Sequence, residues 1–251
     1  MMPSPYSLSR EELYFPAKTG SQYPSVPNKI DAPMIDHDQL HRDGYALLHR
    51  AIPAEWLDAL RDAFDAGVMP SERWAVPRGV GWRHSLLDLD AKVQAVCRLP
   101  QVLAVAGALI GERFFLAQVE GREPLADGGQ QGLHRDLSAQ RPGDTVSALA
   151  FFDDYGPENG ATRLVPGTHR PAPDAPPFDL NDESRSVQLA GSVGDILVFD
   201  ADLLHAGSLN PTGARRRSIL IGYFAEERYA AHLKTAQLRN VRMDTSGRFD
   251  P

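Results

Sequence analysis

Between residues 114 and 224 the chain is a succession of short apolar runs cut by Gly, Pro and Asn. The runs fall at 114–120, 145–153, 161–167, 185–190, 195–200 and 216–224, and they are rich in Val, Ile, Phe and Leu. Each is too short for a typical helix and bounded by turn chemistry, such as Asn159-Gly160 and Pro166-Gly167. Many short strands in succession leave a sandwich or a barrel as the available architectures.

The segment upstream follows another grammar. Residues 43–52 have strand character. Residues 53–67 predict a helix: Pro53 suits a first turn, Trp56, Leu57, Leu60 and Phe64 recur at helical spacing, and Gly67 ends it. One or two further helices are expected over 90–111, ending at Gly111. Residues 70–85 are expected to form a loop, and the Pro-rich stretch 171–184 a surface excursion or lid. A helix is expected over 225–238. The expected division is therefore an irregular arm over 1–35, one domain over 36–240 and a loose tail over 241–251.

Composition narrows the function. A formal charge of −7 argues against nucleic acid and against anionic membrane surfaces as partners. One cysteine, Cys97, rules out a disulfide framework and suits a reducing compartment. No apolar leader is present at the N-terminus, and the longest apolar run, 102–110, is well short of the roughly 20 residues that span a bilayer. A cytoplasmic protein acting on a small molecule is the expectation. Composition does not set the oligomeric state.

Three residues suggest a metal. In extended backbone the two-residue spacing of His134 and Asp136 puts both side chains on one face, so one strand end can offer two ligands. A third comes from residues 194–210, where Leu197, Phe199, Ala201, Leu203 and His205 share one alternation. If that stretch is extended, the His205 imidazole lies on an inner face; a core histidine bonded to backbone is the other reading. Two His and one carboxylate make the facial triad of non-haem Fe(II) oxygenases, which leaves positions open for a cosubstrate and O2.

Arg216 and Ser218 alternate into the apolar run 218–224, whereas Arg217 points the other way and Arg215 belongs to a solvated turn. A guanidinium and a hydroxyl two residues apart on one strand face make a grip for a carboxylate. 2-Oxoglutarate suits it, its far carboxylate on Arg216 and Ser218 and its keto-acid end on the metal.

Four segments in this order and spacing, "GLHRD" at 132–136, "FFDDYGPENGATRLVPGTHR" at 151–170, "GDILVFDADLLHAGSLN" at 194–210 and then Arg216, resemble the phytanoyl-CoA dioxygenase family of Fe(II)/2-oxoglutarate oxygenases. The resemblance runs over roughly 36–224. It implies a mainly β protein with flanking α, a double-stranded β-helix (jelly-roll, cupin-like) core behind N-terminal helices, and a dioxygenase releasing succinate and CO2. It implies Fe(II), 2-oxoglutarate and O2 at His134, Asp136, His205, Arg216 and Ser218. Gln118, read on an alternation with Phe114, Leu116 and Glu120, either hydrogen-bonds 2-oxoglutarate or one of the iron-ligating side chains, or is a plain buried polar residue. His169 is not expected to be a ligand. The 70–85 loop lies where relatives carry substrate-binding insertions. Trp82, Arg83 and Arg78 are therefore either substrate contacts or parts of a solvated loop. The substrate is expected to be a small metabolite: an amino acid, an organic acid or a natural-product intermediate. The alternatives are a non-redox jelly-roll metalloprotein and an inactive small-molecule-binding module.

Overall fold

The computed structural model describes residues 36–136, 142–172 and 174–251; the arm expected over 1–35 lies outside them. Helix α1 (His37–Asp43) begins where the Asp36 side chain accepts from Gln39 N at 2.9 Å, and ends at Gly44 in the left-handed region. Strand β1 (Tyr45–Leu48) follows. The helix expected from residue 53 is a single 3-10 turn continued by α2 (Leu57–Ala66), which buries Leu60 and Phe64. Helices α3 (Ala91–Val96) and α4 (Pro100–Ile110) split the stretch expected to hold one or two helices.

The larger sheet holds β1, β2 (Trp82–Ser85), β3 (Phe114–Pro124), β4 (Thr145–Phe151), β7 (Ile196–Asp200) and β9 (Ser218–Ala225). Its order is β1-β7-β4-β9-β3-β2, all antiparallel. The smaller sheet is β6-β5-β8, from β5 (Arg163–Leu164), β6 (Val187–Gln188) and β8 (His205–Ala206). Two antiparallel sheets of this order are the expected jelly-roll core.

Both faces of the larger sheet are covered, which explains why its strands are continuous apolar runs. One parity, including Val146, Ala148, Ile196, Val198, Ile219 and Ile221, packs with the helices. The opposite parity, Leu149, Phe151, Leu197, Phe199 and Leu220, faces the smaller sheet together with Tyr155 and Leu164. Phe199, Ser218 and Leu220, which line the cleft described below, lie on this second parity.

Four expectations need correction. Residues 82–85 are a strand: β2 pairs with β3 in the register Trp82↔Pro124 to Ser85↔Gly121. The tail is anchored: Phe249 bridges Phe114 through N–H···O bonds of 3.0 and 2.9 Å, and Asp88 holds Arg242 at 2.7 Å. The alternation through 197–205 is broken, because Leu203 N bonds Asp200 O in a turn and the chain crosses into the smaller sheet before His205. A bulge between Leu116 and Gln118 interrupts the β3 alternation. Phe114 and Leu116 therefore face the helices, while Gln118 lines a cavity on the other side.

Asp200, fully buried at the end of β7, gives a test of the packing. Its Oδ1 accepts from Asp202 N at 2.9 Å, its Oδ2 has no hydrogen bond, and Arg170 comes no closer than 3.8 Å. Burial, with help from Asp202 and Asp144, pushes its carboxyl up to about 6. Between about pH 4 and pH 6 the folded state thus keeps a proton that the unfolded state loses, so stability falls as pH rises through that window. Asp200→Asn removes the slope. In urea unfolding it is expected to be about 3 kcal/mol more stable than the parent at pH 7.5, and close to it at pH 4. An equal difference at both pH values contradicts this account.

Candidate active site

His134 and His205 are backbone partners: each N–H donates to the other's carbonyl at 3.0 Å. Their rings stand 4.7 Å apart between centroids. Each Nδ1 faces a carbonyl oxygen two residues earlier in the chain, Gly132 at 2.9 Å and Leu203 at 2.8 Å. In both rings Nδ1–H donates to that carbonyl, so Nε2 is the atom directed at Asp136 and the one left to bind a metal. The Asp136 Oδ1 lies 3.7 Å from His134 Nε2 and 3.5 Å from His205 Nε2.

The three ligand atoms lie within 4.8 Å of one another, and among the described residues no other His/Cys/Asp/Glu group is gathered this way. Burial alone would raise the Asp136 carboxyl, but the two imidazoles that face it outweigh burial and hold it well below the usual carboxylate range. Asp136 in turn raises His134. Two imidazoles with fixed tautomers and an ionised carboxylate, the latter a third exposed, are a donor set that fits a divalent iron with open positions.

A narrow cleft runs from these ligands to Arg216, bounded by Trp82, Tyr155, Phe199 and Ser218. The three consecutive arginines at its end differ in fate. Arg215 pairs with Asp65 at 2.6 Å and Glu123 at 2.7 Å. Arg217 pairs with Asp153 and Asp65, both at 2.9 Å. Arg216 is 2% exposed and has no carboxylate within ion-pair distance among the described residues, and its Nε has no hydrogen-bond partner. Its guanidinium lies over Tyr155 at 4.4 Å and near Trp82 at 5.7 Å. Burial lowers it from its usual value, yet arginine stays charged at physiological pH. An unpaired buried cation of this kind is costly unless an anion reaches it. Ser218 lines the same cleft and donates to Arg122 O at 3.1 Å.

The remaining expected site residues lie elsewhere. Gln118 is not in the Arg216 cleft; it lines a second cavity, on the other side of Asp136. Arg78 and Arg83 are not free to receive a substrate anion: Arg78 pairs with buried Glu120 at 2.8 Å, and Arg83 with buried Glu123 at 2.6 Å. Burial would raise Glu120, but Arg122, His84 and Arg78 bring it down to about 2. Trp82 flanks Arg216, on the side of the expected cosubstrate. Glu183, from the 171–184 excursion, binds Arg163 at 2.8 Å. His169 is buried away from the triad. Sequence reasoning missed Tyr155 and Arg122. For Arg122 a signal existed: Glu120, Arg122 and Glu123 are charges inside a strand that is otherwise mostly apolar.

Among the described residues no helix is long and apolar enough to cross a membrane. Residues 40–218 match the family described as phytanoyl-CoA dioxygenase. The chain is 35% identical over 97 residues to the Fe(II)/2-oxoglutarate-dependent dioxygenase nvfF of Aspergillus novofumigatus, a match covering 35% of this chain and only 31% of that relative. It is 22% identical over 259 residues to the ectoine dioxygenase of Nocardia farcinica, covering 85% and 86% of the two chains. Among solved structures, the non-haem α-ketoglutarate-dependent carbocyclase SnoK from nogalamycin biosynthesis superposes with a TM-score of 0.62 at 16% identity, covering 86% of this chain and 92% of that one. That likeness shows a shared fold.

Proposed function

The chain belongs to the phytanoyl-CoA dioxygenase family, and from that premise we infer that it oxidises a small-molecule metabolite using Fe(II), 2-oxoglutarate and O2, with His134, Asp136 and His205 as iron ligands. When bound, the iron supplies the redox chemistry by which O2 is reduced at the expense of 2-oxoglutarate, which becomes succinate and CO2. The rest is the work of the chain's own groups. The carbonyls of Gly132 and Leu203 fix the imidazoles as Nε2 donors. The low carboxyl of Asp136 keeps it ionised as the third ligand. Arg216 and Ser218 hold the far carboxylate of 2-oxoglutarate, with Trp82, Tyr155 and Phe199 as the walls of the cleft.

The observation that carries this reading is the buried, unpaired guanidinium of Arg216 in the same narrow cleft as the His/Asp/His group. A non-redox jelly-roll metalloprotein has no use for that cation. The test is a metabolite screen with Fe(II)-loaded protein, scored by succinate. Release that requires Fe(II), 2-oxoglutarate and O2 together, and is raised by at least one metabolite, is expected. Product formation without 2-oxoglutarate contradicts the reading.

A further inference from the structure

The second cavity has a volume of about 460 Å³, within the range of metabolite sites. Its floor is the inward face of β3, β4 and β9, and its wall is α5 (Tyr229–Thr235) with the 3-10 turn that follows. Asp136 borders it, and is the one acidic residue among the described residues that line it. Three arginines line it as well: Arg122, Arg228 and Arg239.

These cations are not equally satisfied. Arg228 is matched by Asp144 at 2.6 Å. Arg122 has only a share of Glu120: it approaches at 3.4 Å, its Nε makes no hydrogen bond, and Arg78 holds the same carboxylate at 2.8 Å. Arg239 has no carboxylate within ion-pair distance among the described residues. It is held by neutral acceptors instead: Gln118 Oε1 at 3.2 Å, His232 Nδ1 at 2.7 Å and Thr235 Oγ1 at 3.3 Å. His232 is neutral, since burial, Arg239 and Arg248 bring it down to about 4. A guanidinium can only donate, so Nδ1 is the acceptor and Nε2–H donates to Thr245 Oγ1 at 3.2 Å. The guanidinium is therefore fixed in direction without being neutralised.

Neighbouring charge does not supply the missing anion. With Fe(II) and 2-oxoglutarate bound at the adjacent centre, the two charges of the metal and the one of Arg216 would be cancelled by Asp136 and the two carboxylates of 2-oxoglutarate. The second cavity keeps a positive excess; Arg122 and Asp136 line both it and the Arg216 cleft, whereas Arg239 lines the second cavity.

We propose that this cavity binds the substrate and selects a small metabolite bearing an oxyanion, seated on Arg239 with Arg122 beside it and with its apolar body along Leu220 and Phe224 toward Asp136. The assignment rests on the Fe(II)/2-oxoglutarate reading of the neighbouring site. Carboxylate, sulfate and phosphate share the recognising chemistry, a planar fork meeting oxygens.

Two measurements test it. In the first, the full chain, 15N-labelled and loaded with Zn(II) and 2-oxoglutarate, is titrated with sodium acetate, sulfate and phosphate while the arginine Nε–Hε signals are followed. Arg239 and Arg122 are expected to shift in a saturable way with at least one anion, which identifies the preferred class, while ion-paired Arg217 and Arg242 stay still. No saturable shift at Arg239, or the same shift at the paired arginines, overturns the proposal. In the second, carboxylic acids and their primary amides on the same skeletons are compared by substrate-stimulated succinate release. The acid is expected to exceed its amide at least tenfold in kcat/KM. Arg239→Gln is expected to raise KM for the acid at least tenfold and bring the acid-to-amide ratio towards one, and Arg239→Lys to recover part of it. Amides turned over as well as acids, or a ratio unchanged in Arg239→Gln, overturn the proposal while leaving the iron reading intact. Failure of the iron reading has a different signature: the parent protein binds no 2-oxoglutarate and releases no succinate with any compound.

Discussion

Arg216→Ala is expected to raise the 2-oxoglutarate concentration needed for half-saturation by at least about 30-fold, while Arg217→Ala changes it by less than about threefold. Removing one partner of a buried, hydrogen-bonded charge pair costs about 2–5 kcal/mol of binding, and 2 kcal/mol is already about 30-fold. Arg217 is only 11% exposed in its side chain, but its charge is engaged by Asp153 and Asp65 on the helix side of β9. Losing it costs stability, not cosubstrate. Arg216 costs the metal-free fold something in the other direction: its burial without a carboxylate opposes folding, so Arg216→Ala is expected to keep or raise Tm. A variant that lost both 2-oxoglutarate binding and Tm would make Arg216 a structural residue. Isothermal titration of 2-oxoglutarate into anaerobic, Fe(II)-loaded protein, with melting curves of both variants, separates these outcomes.

Asp136→Ala is expected to abolish substrate-stimulated succinate release to background and leave the fold standing. The side chain is a third exposed at the mouth of the site and, among the described residues, faces the two imidazoles at 3.5 and 3.7 Å. Its N–H bond to Ala201 O, at 3.4 Å, survives truncation. Partly exposed ion pairs are worth about 1 kcal/mol or less, so Tm is expected to drop by no more than about 4 °C. Far-UV circular dichroism and a melting curve check the fold, and succinate release checks the chemistry. Full activity in Asp136→Ala removes this carboxylate from the reaction.

The contrast between Arg216 and Gln118 shows what was legible in the sequence. β9 is regular, so parity counted from residue 216 places Arg216, Ser218 and Leu220 on the inward face and Arg217 on the other. β3 carries a bulge at Ala117, and no residue there announces it, so the same counting misassigned Gln118 to the face of Leu116. His205 was found by a faulty route. It lies inward because β8 pairs with β5, not because the strand from residue 196 continues to it. Strand β2 was hidden by Pro77, Gly79 and Gly81 just before it, whose turn chemistry outweighs four strand residues. The tail has no local pattern, and its order comes from contacts far away in the chain, Phe249 with Phe114 and Arg242 with Asp88. Arg239 has no local signal at all. It acquires a meaning only when the fold brings it against Gln118, 121 residues away.

The claim that His134, Asp136 and His205 hold one iron is tested most directly by anaerobic Fe(II) titration of the parent chain and of the His134→Ala/His205→Ala double variant. One Fe(II) per chain is expected for the parent, with no stoichiometric binding by the double variant under the same conditions. Equal affinity and stoichiometry in the two proteins would contradict the account.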